Sequence, residues 1–488
     1  MTPFESFLAR VSVPDVTDEA PTPEGVKETL EDELRQRRPL GGVVQPYLFV
    51  VLEGGRPLAG GARFSLADID EVHIGRGDER SAQVDAGARR LMLQIPSQSL
   101  SRLHARLSRG PLGWLLEDAG SRNGSYVNGE RVERELISDH DIVEVGHAFL
   151  TVRELEEPAQ APHNLDFVDL EREPDGWRTL IPSIAAGLDQ VRQVARSSVG
   201  VILMGETGTG KEVLARAIHA LSGRRGSFVA VNCNALPAGL VESQLFGHVK
   251  GAFSGAITDA VGFVRAADRG TLLLDEVGDL APSGQGALLR VLQESEVIPV
   301  GRAQEQKVDV RFIATSPRPL DARPDADRFR LDLFARLAGF VHTMTPLRER
   351  REDLGLFIAT LLRKNGVTES EQPRIAPDFG LALVRHDWPL NVRELQQLLA
   401  RSWLLADKGL MSGAPRFVGA GNADRPASAD PAQRRLSTED RAMQERLAAA
   451  LDASRGNVSQ AARALGTGRI QLHRLMKRLG VDARRFRN

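Results

Sequence analysis

The sequence predicts a multidomain chain: a β-sandwich, then an α/β domain on a parallel sheet, then an all-α helix-turn-helix. Three observations predict it. From Pro46 to Leu155, short β-type runs alternate with Asn-Gly and Gly-Gly turns. From Trp177 to Asp407, helix-period and β-type runs alternate, with a glycine-rich turn between one strand and one helix. From Leu436 onward the chain is helix-rich, with Gly456, Gly466 and Gly480 as stops.

The 488 residues fit about three domains on a prior of ~150 residues each. Formal net charge is -2, so any nucleic-acid contact must come from a local basic patch. The single cysteine, Cys233, excludes an internal disulfide framework and fits a reducing compartment. The start, Met1 to Glu5, lacks the basic and apolar runs of a signal peptide, and no long apolar stretch follows. A cytoplasmic protein with no membrane contact is expected. Residues 1–43 are acidic and Pro-bearing, with one helical pattern around Glu24 to Arg37, and read as an unpacked leader.

Residues 44–155 carry strand patterns at Tyr47 to Leu52, Glu71 to Ile74, Trp114 to Glu117 and Ala148 to Val152. They also carry Gly75-Arg76, then Ser101-Arg102-Leu103-His104, then Ser121-Arg122-Asn123-Gly124. Arg76 and Arg102 bring positive charge, Ser101 a hydroxyl, and Asn123 an amide able to grip peptide backbone, with Arg122 beside it. His104 reads as a brace for the loop. The set resembles a forkhead-associated (FHA) domain, which binds phosphothreonine through loops at one end of a β-sandwich. The resemblance implies a phosphothreonine-containing protein as partner, held by Arg76, Ser101, Arg102, Arg122 and Asn123. The alternative is an inert sandwich with ordinary hairpin residues. The interval Gly77 to Leu100 looks longer than usual, which points to an insertion at the rim. Residues 156–176, with Glu156-Glu157-Pro158 and Glu173-Pro174-Asp175-Gly176, read as a linker.

Residues 177–408 hold the chemistry. The turn Gly205-Glu206-Thr207-Gly208-Thr209-Gly210-Lys211 follows a buried-strand pattern and precedes a helix. Its backbone N–H groups point at phosphates, and Lys211 neutralises β/γ charge. Glu212 stands where Ser or Thr usually follows the lysine. Further on, Thr271 to Glu276 is an apolar strand ending in two carboxylates. Asp275 would hold Mg²⁺ through water, and Glu276 would orient or deprotonate an attacking water. Between the two lies Gly251-Ala252-Phe253-Ser254-Gly255-Ala256. Its glycines let a surface loop swing and expose an aromatic side chain.

These motifs together resemble the AAA+ domain of the sigma-54-dependent transcription activators, over about 230 residues. That family carries a GAFTGA loop, and Ser254 replaces its Thr. The resemblance implies an α/β P-loop ATPase with a helical lid, using ATP and Mg²⁺ to drive the loop against sigma-54 RNA polymerase holoenzyme. The family's usual Gly-Glu-x-Gly-Thr-Gly-Lys-Glu places Glu212 with the nucleotide-binding set. Asn232 matches the Asn that holds the catalytic Glu in an inactive pose. Arg330 and Arg336 match the arginine-finger helix that reaches a neighbouring subunit's γ-phosphate, which implies a homo-oligomer, a hexamer when active. Arg393 matches the sensor II arginine on nucleotide phosphate, with Leu390 where Gly is usual. The sensor I strand ends in the family as Ala-Thr-Asn-Arg. Here, ungapped, Pro317 replaces the Asn, and with a one-residue slip Ser316 does; the amide is gone either way.

Residues 409–435 read as a flexible tether rich in Gly, Ala, Pro and Asp. Residues 436–488 hold two short helices around Thr467-Gly468. Between Arg455 and Asn488, the cations Arg455, Arg463, Arg469, Arg474, Lys477, Arg478, Arg484, Arg485 and Arg487 face Asp482 alone, the electrostatic footprint of phosphate-backbone binding. The tail resembles the Fis-type domain that ends sigma-54 activators, which implies enhancer DNA contacted by Arg469, Gln471, Arg474 and Lys477. Leu465, Leu472, Leu475 and Leu479 read as its core, and a basic dimerisation tail is the alternative. The whole reads as an ATP-dependent activator with phosphothreonine input. Two other readings stay open: a DNA-binding AAA+ regulator without sigma-54 activation, and a phosphopeptide-dependent scaffold with weak turnover.

Overall fold

The computed structural model describes residues 43–157, 164–318, 320, 329–371, 373–413, 415, 417, 438–465, 472, 476 and 479–486. The leader, with its helical pattern at Glu24 to Arg37, lies outside them.

Turn-bounded runs with period two build the first domain. Its strands are β1 (Val43–Glu53), β2 (Ala62–Ser65), β3 (Glu71–Arg76), β4 (Ser81–Asp85), β5 (Arg90–Ile95), β6 (Ala105–Gly110) and β7 (Gly113–Asp118). They continue as β8 (Ser125–Val127), β9 (Glu130–Val132), β10 (Arg134–Ile137), β11 (Val143–Val145), β12 (Ala148–Glu157) and β13 (Leu165–Asp166). One sheet runs β13-β2-β1-β12-β11-β8-β9 and the other β10-β7-β6-β3-β5-β4. Leu48 and Val50 of β1, with Ala148 and Leu150 of β12, face Val72, Ile74, Leu107 and Leu116 in the sandwich core.

The second domain is a five-stranded parallel sheet, β15-β16-β19-β14-β20. Its strands are β14 (Val201–Met204), β15 (Phe228–Asn232), β16 (Thr271–Asp275), β19 (Arg311–Ser316) and β20 (Phe340–Thr343). β17 (Glu296–Val297) and β18 (Gln306–Lys307) form a separate hairpin. Following α1 (Phe167–Leu170), helices α2 (Pro182–Ala195) and α3 (Lys211–Ser222) cover one face of the sheet. Helices α4 (Val241–Phe246), α5 (Phe263–Ala266), α6 (Pro282–Glu294) and α7 (Leu331–Leu337) cover the other. A lid follows: α8 (Leu354–Lys364), α9 (Pro377–Arg385) and α10 (Asn391–Leu404), with β21 (Arg374–Ile375) paired to β22 (Leu410–Met411).

The sandwich and the lid share one core. The outward residues of β1, Tyr47, Phe49 and Val51, join Phe149 of β12 against Leu354, Ile358 and Leu362 of α8, Phe379 of α9 and Leu395 of α10. This explains the unbroken apolar run Tyr47 to Leu52, since a strand buried on both faces loses its alternation. Backbone joins backbone as well: Ile375 N–H donates to Gly54 O at 2.6 Å. Gly355 leaves no room for a side chain, because a Cβ there would collide with the Val51 carbonyl. Arg153 of β12 pairs with Glu352 just before α8, and the Arg63 guanidinium donates to Leu180 O at 2.8 Å.

Two linker readings need correction. Residues 165–176 do not form a loose connection: β13 extends the first sheet beside β2, and Phe167 is buried. A large apolar side chain within a Glu/Pro-rich stretch outweighs its composition. The expected tether begins later than residue 409, since Met411 is buried in the lid and Phe417 stacks on His386 at 3.7 Å. In the tail, α11 (Thr438–Ala453) and α12 (Val458–Ala464) close a small core of Leu447, Leu451, Leu472, Met476 and Leu479. Leu465 packs against it, as do Leu112 and Leu136 of the sandwich, while Leu475 lies outside the described residues.

Phe149→Ala removes a ring buried between the sandwich and α9, a cost of roughly 3–5 kcal/mol. Hydrogen exchange should speed up in α8, α9 and β1 together. Loss confined to the sandwich would contradict a shared core.

Candidate functional site

β14, β16 and β19 end side by side, which puts three functional loops at the carboxyl edge of the sheet. After β14 the loop 205–210 turns into α3, with Gly210 in the left-handed region at φ 100°. Lys211 is buried, and its ammonium donates to Gly205 O at 2.6 Å and Glu206 O at 2.9 Å. Burial pushes that ammonium's pKa down, against the pull of Asp275 and Glu276. Thr209 is buried and its hydroxyl donates to Glu206 O. Gly208, at φ 81°, is pressed so close to Leu390 O that a Cβ would collide with it. Glu212 departs from the sequence grouping: its side chain is exposed and pairs with Arg216 at 2.7 Å. On the first turn of α3 it faces outward, where the residue four positions on is a cation.

β16 delivers the carboxylates. Thr315, buried at the end of β19, donates its hydroxyl to Asp275 Oδ1 at 2.6 Å and accepts Glu276 N–H at 3.0 Å. Glu276 sits at φ 55°, ψ 46°, an unusual conformation for a non-glycine residue. Asn232 is opposite Asp275 in the strand register, but its carboxamide oxygen caps the next turn by accepting Asn234 N–H at 2.9 Å. No hydrogen bond joins it to Glu276 among the described residues. A free N–H two residues on competes for the oxygen more closely than the catalytic side chain does. Ser316, the last residue of β19, is buried and turns its hydroxyl to Arg318 O at 2.5 Å.

The lid completes the site with a residue the sequence did not single out. Asn391 is buried at φ 53°, and its amide donates to Glu206 Oε2 at 3.1 Å and Thr207 O at 3.0 Å. Its Oδ1 accepts Leu347 N–H at 2.8 Å. Asn adopts the left-handed region more readily than other non-glycine residues, and that is the signal that could have found it. Arg348 grips Glu206 through both nitrogens, at 2.8 and 2.6 Å, and this bidentate bond holds the carboxylate below its usual range. Arg393 flanks Gly208. Leu390, at φ -105°, needs no glycine. Arg330 and Arg336 are exposed on and beside α7, and Arg330 is held by Asp332 at 2.8 Å.

The loop 251–256 is closed on itself: Gly251 N–H donates to Ala256 O and Ala256 N–H to Phe253 O. Gly251 and Gly255 sit at φ 83° and 110°. Ser254 is exposed, Ala252 half-buried, and Phe253 is not displayed as expected. Its ring packs edge-on against His248 at 5.0 Å, and His248 is fixed by Ser243 Oγ at 2.8 Å. A solvent-exposed phenyl beside an available ring gains by covering itself. The bare apolar side chain is Ile257, 77% exposed.

At the end of the sandwich, Arg76 N–H donates to Ser101 O at 2.9 Å, and Ser101 Oγ accepts Arg122 N–H at 3.4 Å. His104 is fully buried and braces the loops, accepting Ser101 N–H on Nδ1 and bonding Gly124 O through Nε2. Asn123 donates to Ser99 O at 2.7 Å. Arg76, Arg102 and Arg122 are exposed without an ion pair among the described residues. Asp118, unnoticed in the sequence, gathers Gly120 N–H, Ser121 N–H and the hydroxyls of Ser121 and Ser125. Burial opposes these bonds, yet they hold its carboxyl below the usual value. The interval after Arg76 is the β4–β5 hairpin, anchored where Arg80 meets Glu53 and Asp166. The DNA candidates Arg469, Gln471, Arg474 and Lys477 lie outside the described residues.

Four family models match the chain. They are the Sigma-54 interaction domain over residues 180–342, the FHA domain over 72–146, the AAA+ ATPase lid domain over 348–414 and the bacterial regulatory protein, Fis family, over 444–479. The hydrogenase transcriptional regulatory protein HoxA of Cupriavidus necator is 37% identical over 68% of this chain and 70% of its own length. The chain belongs to the sigma-54-dependent activator family. It spans 59% of the Nif-specific regulatory protein of Azotobacter vinelandii, at 38% identity over 62% of this chain. The crystal structure of NtrX from Brucella abortus in complex with ADP is 31% identical over 64% of this chain and 72% of its own, at a TM-score of 0.46. The matches follow one another along this chain in the order FHA, Sigma-54 interaction, AAA+ lid and Fis family. No helix among the described residues is long and apolar enough to cross a membrane.

Beside the phosphate loop, a cavity of about 230 Å³ is lined by Ser183, Ile184, His342, Met344 and Arg350. Burial, with Arg350 adding to it, pushes the His342 imidazole down to about 4. An unfolded His titrates near ~6.5, so between the two values only the unfolded chain takes up the proton. The stability His342 contributes is full above about pH 6.5 and is lost as pH falls toward about 4. Thermal midpoints should drop across that window, and more shallowly in His342→Gln. Equal slopes in the two proteins would refute the assignment.

Proposed function

We propose that this chain is an ATP-driven activator of sigma-54 RNA polymerase holoenzyme, gated by a phosphothreonine-containing protein and directed by enhancer DNA. The reading rests on one conjunction: a lysine-bearing phosphate loop and a carboxylate pair share a sheet edge, and a glycine-hinged Phe253 loop leaves the same domain.

ATP lies along loop 205–211, its phosphates on the backbone N–H groups and the α3 terminus, with Lys211 leaving its carbonyls for β/γ oxygens. Mg²⁺ fits this donor set. Asp275 has an oxygen beyond the one Thr315 occupies, and that carboxylate would hold the ion through water, where it would supply positive charge against the phosphates. Glu276 orients the water, and Thr315 fixes the backbone that carries it. Asn391 and Arg348 tie the phosphate loop to the lid, while Arg393 meets phosphate from the lid side. Arg330 and Arg336, exposed, serve the neighbouring subunit's γ-phosphate in a hexamer.

The second reading, a regulator with weak sigma-54 activation, is favoured by the end of β19, where Ser316 turns its hydroxyl to Arg318 O and Pro317 has no donor, so neither supplies the family's amide. Transcription in a purified sigma-54 system, set against ATPase rate, separates the two. Turnover without open complexes would select it.

Specific ATPase activity should climb with protein concentration, and Glu276→Gln should bind ATP yet lose turnover by roughly 100-fold or more. A monomer with constant specific activity would rule out a finger acting in trans. Phe253→Ala should keep ATPase and abolish open-complex formation. Normal activation by that variant would assign the loop another role.

A further inference from the structure

β8 and β9 are joined by the two-residue turn Asn128-Gly129, with φ 51° and 79°, which sets Arg131 opposite Tyr126. The Arg131 guanidinium lies over Gly124, where a Cβ would stand only 2.6 Å from Nε and 3.1 Å from Cζ. The missing side chain at Gly124 is what lets the arginine lie there. Tyr126 OH donates to Asn123 O at 3.3 Å, so Tyr126 and Arg131 flank the residue expected to hold peptide backbone. Ser101 meets the same loop at its other end, through Arg122 N–H.

Arg131 is exposed and has no ion pair among the described residues. Several arginines elsewhere in the sandwich are neutralised, Arg80 by Glu53 and Asp166, Arg89 by Asp70, Arg90 by Glu71 and Arg134 by Glu117, while Arg106 and Arg109, exposed on β6, also stand without an ion pair among the described residues. Asp118, the acid built into this loop, already accepts four hydrogen bonds. Arg76, Arg102, Arg122 and Arg131 thus leave four uncompensated cations at one end, whereas a phosphothreonine brings only about -1.5 to -2. One dianion cannot satisfy them.

We propose that Arg131 is a specificity residue of this site, and that its ligand carries an acidic side chain near the phosphothreonine. The proposal rests on the reading of these loops as a phosphothreonine receptor. The guanidinium meets that carboxylate beyond Asn123, while Ser101 and its neighbouring arginines take the phosphate.

The test is calorimetric titration of the full chain, because the sandwich shares its core with the lid. The probes are phosphothreonine peptides in which one Asp is walked through the flanking positions, each with an Asn twin and an unphosphorylated twin. One position should favour Asp about threefold to tenfold. Arg131→Ala should lose that preference and keep phosphate dependence, and Arg131→Glu should favour Lys there. Phosphate-dependent binding with the same Asp preference in wild type and Arg131→Ala, or with none, overturns the specificity role and leaves the receptor reading standing. Binding that never depends on phosphate overturns both.

Discussion

The contact of Tyr47, Phe49 and Phe149 with α8 and α9 is the constraint on which the rest of the arrangement depends. Burying side chains of this size stabilises each by roughly 1.5–3 kcal/mol, so the shared core outweighs any single polar tie across it. It holds α8, and with α8 the preceding turn, where Asp353 accepts Leu180 N–H and the Thr179 hydroxyl and pairs with Arg350. From that turn Arg348 reaches Glu206, and from α10 Asn391 reaches Glu206 and Thr207. The phosphate loop is therefore positioned partly from the lid, and the lid is seated on the sandwich. A lid that changes its angle carries the sandwich with it, since a close-packed core does not deform continuously.

Local features were legible in the sequence and long-range ones were not. The phosphate loop, the carboxylate pair and the Ser101–His104 brace are set by residues near one another in the chain, so spacing alone places them. Phe149 and Phe379 look like any core residue, and nothing in either stretch says that they meet. The run Tyr47 to Leu52 did carry a trace of its second buried face, because it lacks alternation. Phe167 was hidden by the Glu and Pro around it. Asn232 and Glu212 have the right positions in the chain, yet each found a nearer partner, Asn234 N–H and Arg216. Asn391 depends on a left-handed backbone that no pattern of apolar residues reveals.

Charge is distributed in a way that the net value of -2 conceals. Inside the joints it is paired: Arg80 between Glu53 and Asp166, Arg153 between Asp139 and Glu352, Arg350 with Asp353. Breaking one partner of such buried pairs leaves an uncompensated charge, which makes them brittle and keeps the domains in one register. Arg76, Arg102, Arg122 and Arg131 at the rim are exposed and without an ion pair among the described residues, so an arriving anion gains attraction without first displacing an internal carboxylate.

The Phe253 loop shows how a resting position can be definite and still cheap to leave. Its hydrogen bonds from Gly251 to Ala256 and from Ala256 to Phe253 are internal, so they travel with the loop when it moves. What ties the tip to the domain is the edge contact with His248, and aromatic pairs of that kind contribute only about 0.5–1.5 kcal/mol beyond area. His248 itself is firmer, held by Ser243 of α4 and by backbone pairing with Ala260. Helix α4 packs through Val241 and Leu245 in the same layer as Cys233 and Val277, the residues that follow Asn232 and Glu276. The site of turnover and the seat of the loop thus lie in one packed layer. The contact between His248 and Phe253 is a single edge-on ring pair, whereas the base of the loop is held by the backbone bonds from Ala252 N–H to Val249 O and between His248 and Ala260.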